Sequence, residues 1–254
     1  MSTIIRNPFL VFGISLVVLW IAAKIGASFR KNRPDTEMGG REDLGVILGA
    51  TLTLLGLIIG FSFSMAVNRY DQRKNFEEAE ANAIGTEYVR ADLLPDSDAV
   101  RARTLLSDYL AQRVMFYNTR DAVQLRKINA TTNQLQNELW LAVRAPAAAQ
   151  PPAVAILVLS GMNDVLNSQG YTQAAWLNRI PPAAWGLMAA ISICGNLLLG
   201  YYASHVGGKT LLFLVLPLVL SISFFLIADI DSPRGGIIRV HPQNLVRLSE
   251  SLQR

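Results

Sequence analysis

The chain has 254 residues, of which 51% are hydrophobic and only 17% are charged, and its mean hydropathy is +0.30. This composition is too apolar for an ordinary soluble protein of this length and indicates an integral membrane protein with a soluble portion. The net charge of +4 and the pI near 9.4 are explained by basic residues beside membrane spans, without a nucleic-acid partner. A single cysteine, Cys194, excludes an internal disulfide and a multi-cysteine metal site.

The first apolar run, Pro8–Phe29, is long enough to cross a bilayer as a helix. A cleaved signal peptide is the alternative interpretation, because small residues lie near the end of the run. The run is long for that role, and a second apolar run follows a short loop, so we predict a retained span. The loop 30–43 mixes charged residues with proline and glycine, which predicts a turn region.

The second apolar run, Leu44 to Val67, carries no charge and continues into a charged segment with no proline until Pro95. We therefore predict one helix from Leu44 to Leu94 that crosses the membrane and extends into water as a stalk. At 1.5 Å per residue its length would be roughly 75 Å. The acidic side chains of the stalk are interpreted as a solvated face; they are Glu77, Glu78, Glu80 and Glu87.

A polar region of balanced charge, Asn68 to Ile180, follows the second span. Apolar residues at three- and four-residue spacing predict two amphipathic helices, one capped by the break at Pro95, Asp96 and Ser97 and one over Asp121–Val143. The segment Arg144–Ala153 is rich in proline, so we predict that it ends the second of these helices. The short apolar stretch after it is too short to span and belongs to the same helical domain.

Two further spans are predicted over Ala183–Ala203 and Thr210–Ala228, with tryptophan and tyrosine near the ends of the first. The predicted fold is an all-α membrane protein with two N-terminal and two C-terminal spans around a helical domain. The predicted boundaries are 1–67 for the first two spans, 68–180 for the domain, 181–230 for the last two spans and 231–254 for a tail. The distribution of basic residues near the spans favours a cytoplasmic domain and cytoplasmic termini in the inner membrane.

The second span contains the most informative patterns. Four of its glycines recur at four- and seven-residue intervals and form a smooth face for close helix packing, within the chain or between subunits; they are Gly45, Gly49, Gly56 and Gly60. On a neighbouring face lie Thr53, Leu57 and Phe61, each four residues apart. Around a symmetry axis these side chains would form an apolar constriction of the kind that gates ions by dewetting, whereas in isolation they would be core or lipid-facing residues.

Polar residues at the ends of two spans are further candidates. A ring of Asn68, Arg69 and Arg73 at a pore mouth would favour anions, and interfacial anchoring is the alternative role. Asp229 and Asp231 after the fourth span could help to bind a divalent cation through oxygen ligands. Two carboxylates are too few for a calcium site alone, so a turn at the Asp-Ser-Pro sequence is favoured, and no other cofactor is indicated.

Two stretches resemble a bacterial membrane family of unknown function that is described as bestrophin-like. They are GFSFSMAVNRYDQRKNFEEAEANAIGTEYVRADLLP, from Gly60 to Pro95, and DIDSPRGGIIRV, from Asp229 to Val240. The resemblance implies a homopentamer with two spans on each side of a cytoplasmic helical domain, and anion conduction.

The resemblance also assigns roles to particular residues. It places Thr53, Leu57 and Phe61 where bestrophins have their hydrophobic neck. Three departures are visible: Thr53 is polar, a proline found early in the bestrophin neck has no counterpart near Thr53 to Phe61, and Asp229 and Asp231 stand without the dense acidic cluster of calcium-responsive bestrophins. The last departure argues against gating by calcium.

The leading hypothesis is a homo-oligomeric, pentameric channel for inorganic anions, surrounded by membrane lipids. The alternative is a non-conducting membrane scaffold or energy-coupling subunit that binds a partner protein. An enzyme acting on a lipid or a small molecule has the least support, because the sequence contains no nucleophile–base pair, metal constellation or nucleotide-binding motif.

Overall fold

A computed structural model describes residues 7–31, 39–205 and 212–253 of the chain, and every regular element in these ranges is a helix. A 3-10 turn over Ala91–Leu93 follows the longest helix. The α-helices are α1 (Pro8–Lys31), α2 (Gly39–Arg90), α3 (Asp96–Asn118), α4 (Ala122–Ala148), α5 (Pro152–Leu177), α6 (Pro182–His205), α7 (Leu212–Asp231) and α8 (Gln243–Leu252).

The chain is organised as two compact units. The first comprises the residues up to Arg69 and Arg179–Ile238, and therefore contains α1, α6, α7 and the apolar part of α2. The second comprises Tyr70–Asn178 and the residues from Arg239 onward, and contains α3, α4, α5, α8 and the charged part of α2. The continuous helix α2 thus contributes to both units.

Four helical stretches are long and apolar enough to cross a membrane, and the third of them covers both α5 and α6. They are Pro8–Phe29, Asp43–Leu93, Pro152–Ala203 and Phe213–Asp231. Within α2 the uncharged part, residues 44–67, has the length that a bilayer requires of a helix. Within the third stretch α6 is the more apolar of the two helices and forms the span. The all-α fold with four spans and one long second helix is confirmed.

In the first unit α1 packs against α6 and α7. Two glycines allow α1 and α6 to meet at the level of their backbones. A Cβ atom on Gly26 would overlap the backbone carbonyl of Leu197, and a Cβ atom on Gly200 would overlap the backbone carbonyl of Ala23. Small residues at helix crossings are the usual means of tight packing in membranes, because backbone contact replaces the hydrophobic effect there.

The second unit has its own apolar core, to which each of its helices contributes. An aromatic cluster closes part of this core, with Tyr117 and Trp176 in edge-on contact and ring centroids 5.3 Å apart. Leu245 anchors the short C-terminal helix α8 in the same core. Completely buried apolar side chains of this core include Ile84, Leu106, Leu139, Val158, Met162 and Leu245.

The sequence-based end of α4 is wrong. The helix does not stop at Val143 but continues through Pro146 to Ala148, so that the break before α5 is confined to residues 149–151. Proline lacks the N–H group of one intrahelical hydrogen bond. So close to the end of a helix, and surrounded by alanines, this loss is tolerated because alanine has the highest helix propensity.

Candidate functional site

The apolar part of α2 is the least covered of the four spans. Only 11% of the residues in its apolar window are buried within the chain, whereas the windows of the other three spans are 28%, 33% and 50% buried. Leu57 and Phe61 have 54% and 64% of their surface exposed. A large apolar face of this helix is therefore available to lipid or to other copies of the chain.

Thr53, Leu57 and Phe61 all lie on this exposed face. The Thr53 hydroxyl donates a hydrogen bond to the Gly49 carbonyl of its own helix at 2.9 Å. Because the hydroxyl proton is used within the helix, the side chain needs no polar partner to stay in apolar surroundings. The line of three residues can thus be largely apolar despite the threonine, and its location in a pore stays a prediction.

The four glycines of α2 differ in their surroundings. A Cβ atom on Gly45 would lie 3.7 Å from the Tyr202 ring of α6, an ordinary contact within the chain. At Gly49, Gly56 and Gly60 no described atom outside the adjoining residues and the local backbone of the same helix lies within 4 Å of the Cβ position. The described part of the chain therefore supplies a packing partner at one end of the glycine face only, and an intersubunit role for the rest stays a prediction.

The structure places the three residues of the predicted pore mouth in different surroundings. The Asn68 side chain is exposed. Arg69 lies 3.6 Å from the carboxylate of Asp231. Arg73 is only 1% exposed, and its guanidinium donates hydrogen bonds to the carbonyls of Ala175 and Asn178, each at 3.1 Å.

Through these contacts Arg69 and Arg73 stabilise the folded chain. Arg73 binds carbonyl groups at the C-terminal end of α5, where a cation is favoured by the unpaired carbonyls and the helix dipole. A guanidinium that is buried in this way does not face a water-filled entrance. The burial of Arg73 argues against that residue at the pore mouth, and the pore-mouth role of Asn68 and Arg69 stays a prediction.

Asp229 organises the turn that follows α7, and Asp231 binds the backbone just before α6. The Asp229 carboxylate accepts hydrogen bonds from the backbone N–H groups of Ile237 at 2.7 Å and Ile238 at 2.8 Å. The Asp231 carboxylate accepts the N–H of Ile180 at 3.2 Å, just before α6 begins. Among the residues that the structure describes, no group of three or more His, Cys, Asp or Glu is placed to hold a metal ion.

The contacts of Asp229 match the turn-forming role that the sequence favours, whereas Asp231 binds the backbone of Ile180, 51 positions earlier in the chain. Gly236 contributes to the same turn, because a Cβ atom there would lie 2.9 Å from the Asp229 carboxylate. Binding of a divalent cation by this pair stays a prediction.

We expect Asp229→Asn to destabilise the first unit by about 1 to 3 kcal/mol. Each carboxylate oxygen of Asp229 accepts one backbone N–H group, and the amide of asparagine keeps only one oxygen, so one N–H group loses its acceptor. The measurement is the thermal unfolding of the detergent-solubilised protein. Asp43→Asn is the matched control, because Asp43 is exposed on α2. Equal melting temperatures for the two variants would contradict this role of Asp229.

The expectation of a solvated acidic face on the stalk is wrong for three of its four glutamates. Glu78 is exposed, but Glu77, Glu80 and Glu87 are at most 1% exposed. Together with Arg73 and Ile84 they are spaced by three or four residues, which is the periodicity of one buried helix face. This periodicity indicates a buried face in the sequence, but the acidic side chains on that face favour the opposite interpretation, a solvated face.

The buried glutamates of the second unit have distinct partners. The Glu77 carboxylate accepts the backbone N–H groups of Asn244 at 2.9 Å and Leu245 at 3.0 Å, so that it caps the first turn of α8. The Glu80 carboxylate forms a completely buried ion pair with Arg113 of α3. It also accepts hydrogen bonds from Tyr117 at 3.3 Å and Thr172 at 3.2 Å.

The electrostatics of this pair follow from its burial. Burial alone lowers the pKa of Arg113, but the negative charge and hydrogen bond of Glu80, together with Tyr109 and Tyr117, have the larger combined effect, and the pKa of Arg113 is raised. Burial, reinforced by Glu80, raises the pKa of Tyr109 and of Tyr117. The two phenols therefore stay neutral, and Arg113 stays charged, at physiological pH.

Comparisons with known proteins agree with the fold. A profile of the Bestrophin-like domain matches residues 9–245, while no sequence among the curated proteins matches this chain. A mutated form of a bacterial Bestrophin homolog from Klebsiella pneumoniae has a similar structure, with a TM-score of 0.64 and 14% identity over 94% of this chain and 96% of that chain. The zinc-phased structure of such a homolog gives a TM-score of 0.62 at 14% identity, covering 97% of this chain and 96% of that chain.

Proposed function

We propose that this chain, which belongs to the bestrophin-like family, assembles with copies of itself into an ion channel. The pathway of that channel is lined by α2. The family and the fold indicate an oligomeric channel type of function. The finer proposal is a homopentamer in the inner membrane, with the second unit and both termini in the cytoplasm, that conducts inorganic anions.

The observation that carries the proposal is the exposure of α2 within a single chain. A span that uses only 11% of its apolar window for packing inside its own chain must find other neighbours. Lipid could cover it, but the open positions at Gly49, Gly56 and Gly60 permit the backbone of another helix to approach closely. Contact between copies of α2 uses both the apolar face and the glycines.

In such an assembly the proposed constriction consists of rings of Thr53, Leu57 and Phe61. Apolar rings in a narrow passage expel water and so control ion passage by dewetting. The Thr53 hydroxyl, which is bonded to Gly49 at 2.9 Å, is compatible with a largely apolar first ring. Asn68, which directly follows the apolar stretch, supplies amide groups at the entrance from the cytoplasmic side.

The channel proposal is tested with the purified full-length protein. We expect a single oligomeric species, of five chains, by native mass spectrometry, and chloride efflux from proteoliposomes that exceeds potassium efflux. Chloride flux must scale with the amount of reconstituted protein. A homogeneous, folded oligomer that passes no ions would contradict the proposal and would favour a scaffold that binds a partner protein.

A further inference from the structure

Glu87 differs from the other buried glutamates of the second unit. Its side chain is 1% exposed, yet neither of its carboxylate oxygens has a hydrogen-bond partner among the described residues. Glu77 and Glu80, two to three turns earlier on the same helix, each accept several hydrogen bonds. A buried carboxylate without hydrogen-bond partners is unfavourable when it is charged, because it has lost its hydration and gained no hydrogen bond in return.

The carboxyl group of Glu87 lies directly against the backbone of α5. A Cβ atom at Gly161 would overlap both the Glu87 carboxylate and the guanidinium of Arg90. The guanidinium of Arg90, the last residue of α2, donates a hydrogen bond to the Leu157 carbonyl of α5 at 3.3 Å. Gly161 thus leaves just enough room for the Glu87 side chain, and for no hydration shell around it.

The charged groups around Glu87 have opposite effects on the pKa of its carboxyl group. Burial raises its pKa from 4.5 to about 8, with Arg90 of α2 lowering the pKa and Asp164 of α5 raising it. Arg103 of α3 is engaged elsewhere, by an ion pair with Asp92 at 2.5 Å.

Arg247 of α8 is a further cation on a neighbouring element. It lies with Arg90 along an open groove of about 550 Å³ between α2 and α8.

We propose that Glu87 is a proton-operated latch between α2 and α5 in the second unit. When the carboxyl group is protonated it is neutral and stays packed on Gly161. When it loses its proton, the charge must reach water, and the contact between the two helices around Gly161 loosens. This inference goes beyond ion conduction and does not depend on it, because both states of the latch are defined within one chain.

The sign of the pH dependence follows from proton linkage. Between the unfolded pKa of 4.5 and the folded pKa of about 8, the folded protein binds more protons at Glu87 than the unfolded protein does. The stabilisation by protonation is complete below pH 4.5 and is lost as the pH rises towards 8. Glu87→Gln removes this titration and cannot lose a proton.

The test is the thermal unfolding of the full-length protein in detergent between pH 5 and pH 9, at one scan rate. We expect the melting temperature of the unmodified protein to fall, relative to that of Glu87→Gln, by about 5 °C or more between pH 5 and pH 8. The buried amide of glutamine also lacks a partner, so Glu87→Gln can change the melting temperature at every pH. The diagnostic quantity is therefore the difference between the two proteins in how the melting temperature changes with pH. Glu78→Gln is the matched control, because Glu78 is exposed on the same helix and its loss should leave the slope unchanged.

A second measurement keeps Glu87 in place. Infrared difference spectra of the unmodified protein should contain the C=O band of a protonated carboxyl group that disappears with a midpoint near pH 8. Asp164→Asn removes the exposed charge that favours protonation, so the midpoint should move to lower pH. A pH slope that is the same with and without Glu87, or a midpoint of the infrared band near 4.5 with no response to Asp164→Asn, would overturn the proposal.

Discussion

Replacement of Arg113 by leucine should lower the free energy of unfolding of the second unit by about 3 to 5 kcal/mol, because it leaves the Glu80 carboxylate buried without its counter-charge. Both side chains are completely buried. Hydrogen bonds from Tyr117 and Thr172 remain available to Glu80, but they do not neutralise its charge. Denaturant unfolding of the full-length protein, followed by tryptophan fluorescence, measures the loss.

Two further variants separate charge from packing. Arg101→Leu on the same helix is the matched control, because Arg101 is exposed and should change stability by less than about 0.5 kcal/mol. The double variant Glu80→Leu with Arg113→Leu should recover much of the loss, since apolar replacement of a buried pair is often neutral or stabilising. If Arg113→Leu is no more destabilising than Arg101→Leu, the two helices do not meet through this ion pair.

Phe61→Ala and Leu57→Ala should each raise chloride flux through the reconstituted protein by roughly tenfold or more, which corresponds to a barrier lower by about 1.4 kcal/mol. The reason is that each change widens one apolar ring and removes apolar surface from every subunit at once, so that water enters the passage more readily. The measurement is the initial rate of chloride efflux at equal amounts of reconstituted oligomer.

Phe63 provides the control for that experiment. It is a phenylalanine on the same helix with 41% of its surface exposed, and two residues of helix turn it by about 200° from Phe61. Phe63→Ala should therefore leave chloride flux within about twofold of the unmodified protein. Equal effects of Phe61→Ala and Phe63→Ala would mean that the change in flux reports general loosening of the helix and not a constriction.

Much of the architecture could be predicted because it depends on local composition and periodicity. The uncharged run from Leu44 to Val67 and the absence of proline before Pro95 are sufficient to predict the long helix α2, which the structure places at Gly39–Arg90. The carboxylate of Asp229 could likewise be assigned to a turn, because its partners are backbone groups close in sequence.

The buried polar face of the stalk could not be predicted in the same way. Arg73 binds carbonyls more than 100 positions away, and Glu77 caps a helix 167 positions away. Whether a charged side chain is solvated or buried depends on partners of this kind, and they become neighbours only in the folded chain. The helical spacing of Arg73, Glu77 and Glu80 was visible, but composition alone assigned that face to water.

The most direct test of an ion pathway along α2 is thiol accessibility at position 61 in the reconstituted oligomer. Cys194 is the only cysteine of the sequence, so Cys194→Ser provides a background without thiols. In that background, a bulky, water-soluble methanethiosulfonate should abolish most of the chloride flux of Phe61→Cys and leave the flux of Phe63→Cys unchanged. Flux through Phe61→Cys that persists after complete labelling, or block of both variants alike, would contradict a pathway lined by this face of α2.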